Sequence, residues 1–108
     1  MKIGVFSINS SDSEDPSSLA RRSEELGFNS FWVPDHIVIP VATTSPFPGS
    51  PNGEIPDPYN RIRDPFVSLG RASSVTKSIK LGTGICLVPE RHPLLTAKEV
   101  ATLDHLSG

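Results

Sequence analysis

A histidine, its neighbouring aspartate and a pair of glycines carry most of the chemistry open to this sequence. Asp35-His36 follows directly on the apolar run Phe31-Trp32-Val33. Histidine is the side chain whose ordinary pKa lies nearest neutrality, so it can take and give a proton near pH 7. A carboxylate beside it can orient a ring or bond a ligand. The commoner reading of such a pair is plainer: a turn Asp that caps backbone N–H groups, next to a surface His. Gly82-Thr83-Gly84 interrupts a second apolar run, IKLGTGICL. Glycine inside a strand marks a bulge or a close approach of the backbone to something flat; the competing reading is room made for a helix. The spacing is not that of a dinucleotide-binding glycine loop, and no helix opens immediately after it. Glu90-Arg91-His92 has the charge to meet an anionic ligand, with a solvated loop as the competing reading. Cys86 and Trp32 read as core residues. One Cys can form neither an internal disulfide nor a Cys-based zinc site, and no metal site is expected.

These residues are placed by the elements between which they fall. Lys2–Ile8 reads as a short strand, with Ile3 and Val5 on one face and Phe6 on the other. Asp15-Pro16 predicts a helix start, because Asp accepts backbone N–H bonds at the N-cap and Pro suits the first helical position. Leu19, Ala20, Ser23 and Leu26 then fall on one side, the charged residues of the helix body face water, and Gly27 is a C′ residue. Phe28–Val33 is a second strand, its apolar residues continuous, as suits a strand covered on both faces. Asp64-Pro65 repeats the helix-start signal, and Phe66, Leu69, Ala72 and Val75 or Thr76 form the stripe of a helix ending near Thr76. Ile79–Leu87 is a third strand. Pro93 or Leu94 opens a third helix, with Gly108 as its C-cap. Alternating strands and helices imply crossovers and a parallel sheet. The α/β candidates are a doubly wound sheet or part of a (β/α)8 barrel. In both, sites form at the carboxyl ends of the strands, here Ser7–Ser10, Pro34–His36 and Cys86–His92.

The 108 residues have room for one domain at most and carry a net charge of −2, which excludes a basic nucleic-acid footprint. No apolar run approaches membrane-spanning length, and no signal-peptide h-region is present, so the expectation is a cytoplasmic protein. Eight of the 11 prolines lie between Pro34 and Pro65. That stretch reads as one loop of about 30 residues, long enough to call for a functional reason. Its interleaved Ile37, Val38, Ile39, Phe47, Ile55 and Tyr59 favour a packed excursion over a disordered linker.

The segments GFNSFWVPDH and DPFVSLGRASSVTKSIKLGTGICLVPERHPLLTAKEVATLDHLSG, in this order and spacing, resemble the start of the bacterial luciferase-like monooxygenase superfamily, closest to its coenzyme F420-dependent oxidoreductase branch. The resemblance covers nearly the whole chain. It implies an α/β fold: residues 1–108 as the N-terminal, incomplete part of one luciferase-like TIM-barrel domain, its first three βα units, with the proline-rich loop as a lid over the barrel mouth. It implies a parent that is a flavin- or F420-dependent oxidoreductase, with F420 as cofactor and FMN as the alternative, acting on a small organic substrate by hydride transfer or oxygen activation. His36 matches a residue beside the reactive ring with a role in proton transfer, and Asp35 one of the same pocket. Gly84-Ile85 matches a non-prolyl cis peptide that backs the ring, and Thr83 hydrogen-bonds near it. Members of this family are often homo-oligomers. The rival expectation is a catalytically inactive truncated partial barrel or self-associating scaffold, since the phosphate contacts and further substrate residues of the family come later than Gly108.

Overall fold

The computed structural model describes residues 1–108. Three strands, β1 (Gly4–Phe6), β2 (Ser30–Val33) and β3 (Lys80–Thr83), alternate with three helices, α1 (Pro16–Glu25), α2 (Pro65–Ser73) and α3 (Pro93–Ser107). The strands pair in parallel in the order β1-β2-β3, with Val5 opposite Phe31 and Val33 opposite Thr83. Phe31 and Val33 are fully buried against Ala20 of α1 and Leu69 and Ala72 of α2, with Ile79 completing the core and Leu103 of α3 packed on its margin. The helices therefore lie on one face of the sheet. A doubly wound sheet carries helices on both, so the fold is that of the first three βα units of a (β/α)8 barrel.

Local chemistry explains the helix ends. Asp15 accepts from the Ser17 N–H at 2.9 Å, Asp64 accepts from the Val67 N–H at 3.0 Å, and a proline follows each at the first helical position. Gly27 adopts φ +81° just past α1, a conformation without penalty only for glycine. α2 ends earlier than its stripe predicts. The hydroxyls of Ser73, Ser74 and Thr76 donate to the carbonyls of Gly70, Arg71 and Ala72, and so compete with the backbone ladder.

The strands are shorter than expected. β1 stops at Phe6, and Asn9 then turns the chain at φ +56°. β3 stops at Thr83; the Gly84 N–H still reaches the Val33 carbonyl at 2.8 Å, after which the chain enters a 3-10 turn at Val88–Glu90. Trp32, expected in the core, lies on the helix-free face and is 39% exposed. It is the flat object that the nearby glycines accommodate. A Cβ on Gly82 would sit 2.5 Å from the indole, and one on Gly4 2.8 Å from its nitrogen. Phe6 does the same at Gly84, 2.6 Å away.

The proline-rich segment is packed at its ends and open in its middle. A 3-10 turn at Asp57–Arg61 leads into an antiparallel bridge between Ser10 and Ile62, while Val38 and Val41 face solvent. No peptide bond is cis, which corrects the expectation for Gly84–Ile85. A non-prolyl cis bond persists only where its surroundings force it, and Ile85 is exposed.

Candidate active site

Asp35 sits two residues beyond β2 and is 2% exposed. Its two oxygens meet the guanidinium of Arg91: Nη2 donates to Oδ1 at 2.7 Å and Nε to Oδ2 at 2.9 Å. The Leu87 N–H donates to Oδ2 at 3.0 Å. Burial by itself would raise the Asp35 carboxyl; the Arg91 fork and then the Leu87 amide outweigh it and hold the group below the usual carboxylate range. Arg91 is pushed up in turn, first by Asp35, against its own burial, and then by Asp64. Asp64 Oδ2 lies 3.2 Å and Glu99 Oε2 3.7 Å from the guanidinium, which also stands 4.8 Å over the Phe66 ring. With its side chain 10% exposed and three carboxylates around it, Arg91 is the hub of this end of the sheet.

His36 follows Asp35 and is half-buried. Tyr59 meets its ring edge-on, centroids 5.4 Å apart, and Phe47 meets Tyr59 at 4.9 Å. The proline-rich segment thus covers one side of His36. Thr83, Gly84 and Ile85 lie at the adjoining strand end, since Val33 pairs with Thr83; Thr83 is half-buried and the Gly84–Ile85 peptide is exposed. Cys86 is half-buried, and burial, followed by the negative charge of Asp35, raises its thiol. At the end of β1, Asn9 is buried, and its Nδ2 donates to the Arg63 carbonyl at 3.2 Å and to Ser68 Oγ at 3.0 Å. Asn9 Oδ1 and Arg63 Nη1 are buried without partners in the chain.

His36 thus follows the end of β2, and Thr83, Gly84 and Ile85 lie at the paired end of β3, with the Asp35 carboxylate already engaged. Sequence reasoning placed Asn9 at a strand end and Tyr59 in a packed excursion but missed their contacts, and it missed the hub role of Arg91. The signal for Arg91 was a lone basic residue between prolines, paired with an Asp that ends an apolar strand. No group of three or more His, Cys, Asp or Glu side chains is arranged to hold a metal, and no helix is long and apolar enough to cross a membrane.

A one-sided parallel sheet with polar groups gathered at its carboxyl edge defines an α/β protein of the barrel-forming class. The profile of the luciferase-like monooxygenase family matches residues 1–108, and the chain belongs to that family. It is 43% identical over 108 residues to an uncharacterized protein of Mycobacterium tuberculosis, covering 99% of this chain and 38% of that protein. Its fold matches the coenzyme F420 dependent tetrahydromethanopterin reductase of Methanopyrus kandleri with a TM-score of 0.71 at 29% identity, over 99% of this chain and 24% of that one. It matches a monooxygenase from Streptomyces bottropensis with a TM-score of 0.72 at 25% identity, over 99% of this chain and 30% of that one. The chain thus spans well under half the length of these relatives.

Proposed function

We propose that the full protein carrying this chain is a coenzyme F420-dependent oxidoreductase, with FMN as the alternative cofactor, acting on a small organic substrate. Residues 1–108 are the N-terminal part of its luciferase-like barrel domain. The observation that carries this reading is the placement of a half-buried His36 and an exposed Gly84–Ile85 peptide just beyond the paired ends of β2 and β3. A flat ring needs a wall to lie on and a proton-transfer group at its edge; the exposed Gly84–Ile85 peptide, with the Phe6 ring beside Gly84, and the His36 imidazole are the groups this chain offers for them. The relation to the F420-dependent reductase supports F420, and the relation to the monooxygenase keeps FMN in view.

Thr83, Gly84 and Ile85 would hold the ring, with Thr83 offering a hydroxyl. The bound cofactor supplies the redox chemistry: hydride exchange for F420, oxygen activation for reduced FMN. His36 holds or moves a proton on its imidazole, and Tyr59 shields that ring from water on one side. Asp35 contributes by its place in the chain, its carboxylate being committed to Arg91 and Leu87. The protein is expected to act in the cytoplasm as a homo-oligomer.

The test is to titrate the full protein with each cofactor and to assay His36→Ala. F420 binding is expected, with turnover of the variant down about 10²–10⁴-fold and cofactor affinity nearly unchanged. Binding of FMN but not F420 would overturn the cofactor choice, and binding of neither would overturn the reading. Equal loss of turnover and affinity would make His36 a binding residue.

A further inference from the structure

We propose that Arg91 is the positioning residue of this site, fixing His36 relative to the Gly84–Ile85 wall; the inference rests on the reading of His36 given above. The Arg91 side chain is 10% exposed and that of Asp35 1%. Taking two such charges out of water is costly unless every donor and acceptor is matched, and even a satisfied buried pair adds little stability over apolar packing. What the pair supplies is geometry. One carboxylate, joined to His36 through a single peptide, receives two hydrogen bonds from Arg91 and one from the Leu87 amide. The loop after β2, which carries His36, and the loop after β3 are therefore tied at one point. Asp64 at the start of α2 accepts from the same Arg91 Nη2 at 3.2 Å, and Glu99 in α3 lies 3.7 Å from Nη1. Such multi-point contact needs the planar fork of arginine, which the point charge of lysine cannot reproduce.

The experiment compares Arg91→Gln, Arg91→Lys, His36→Ala and the double variant Arg91→Gln/His36→Ala in the full protein, with hydrogen exchange at the Leu87 amide as a readout independent of activity. Arg91→Gln is expected to lower kcat about 10–100-fold, the scale on which misplacing a reacting group acts. KM and cofactor Kd should change little. Arg91→Lys should fall between it and the wild type, and it carries the test if the Gln variant does not fold. On the His36→Ala background the further loss should shrink to about 3-fold or less, because the group being positioned is gone. Leu87 exchange should accelerate in both Arg91 variants while the amides of α1 keep their protection. Equal losses on both backgrounds, or unchanged Leu87 exchange, would overturn the proposal. If His36→Ala leaves turnover intact, the role of His36 falls and takes the kinetic part of the proposal with it; the exchange measurement then decides whether Arg91 ties the two loops.

Discussion

The Trp32 indole lies across the positions where Gly4 and Gly82 lack side chains, and the Phe6 ring lies where Gly84 lacks one. Trp32 is thus accommodated by glycines on both neighbouring strands and Phe6 by a glycine just beyond β3, and the helix-free face of the sheet becomes a flat aromatic floor. A methyl group at Gly82 would stand 2.5 Å from Trp32 Cζ3 and 2.7 Å from Cε3, so one of the two must shift. Gly82→Ala is therefore expected to destabilise the full protein by the ~1–3 kcal/mol typical of overpacking. The denaturant midpoint measures this, and an unchanged midpoint would mean that the indole does not rest on Gly82. This residue-level fit was half legible in the sequence. Glycine in a strand announced something flat, but only the register showed that the flat thing is the chain's own Trp32.

Among the elements, α1 is fastened to the turn that leads from α2 into β3 by one carboxylate. Glu24, which sequence reasoning left facing water, accepts from the N–H groups of Lys77, Ser78 and Ile79, at 2.9, 2.6 and 2.8 Å, and from the Ser78 hydroxyl at 3.0 Å. The Ile79 amide, then those of Ser78 and Lys77, lower its pKa from 4.5 to about 2. Asp15 is similarly lowered from 3.8 to about 2, chiefly by the Ser17 hydroxyl. Between these values the unfolded chain binds protons that the folded chain does not, so stability rises with pH there. The contribution of Glu24 is complete above pH 4.5 and is lost as pH falls toward 2. Denaturant midpoints measured across that window should fall on acidification, and Glu24→Gln should flatten the slope. An equal slope in the variant would show that Glu24 is not the group responsible. The helix starts were readable because an N-cap Asp and a first-turn Pro act on neighbouring residues. The Glu24 anchor was not, because its partners lie 53–55 positions away.

On the scale of the whole molecule, one face is finished and the other is not. Only 15 of 108 residues are buried, and the radius of gyration is 14.9 Å, against about 13 Å for a compact chain of this length. β1 and β3 are both edge strands, and Phe6, Leu94, Leu95 and Leu106 are exposed. Unpaired edges and uncovered apolar surface favour self-association. The 108-residue segment produced on its own is expected to sediment as oligomers or aggregates and to unfold without a sharp transition. A monodisperse monomer with one cooperative transition would contradict this.

Much of this protein is set by local rules. The βα alternation, both Asp-Pro helix starts, the turn at Gly27 and the gathering of polar residues at strand ends all follow from residues a few positions apart. Which face of the sheet is covered, and so barrel-type rather than doubly wound, was left open by periodicity. It was decided by Phe31 and Val33 packing on helices while Trp32 faces away. The same holds at the site. Asp35 and His36 are adjacent in the chain and read as a pair, yet the fold separates their tasks. Arg91, 56 residues on, captures the carboxylate and leaves the imidazole to the segment that carries Tyr59. Charge pairing and burial depend on which distant residues meet, and only the folded chain determines that.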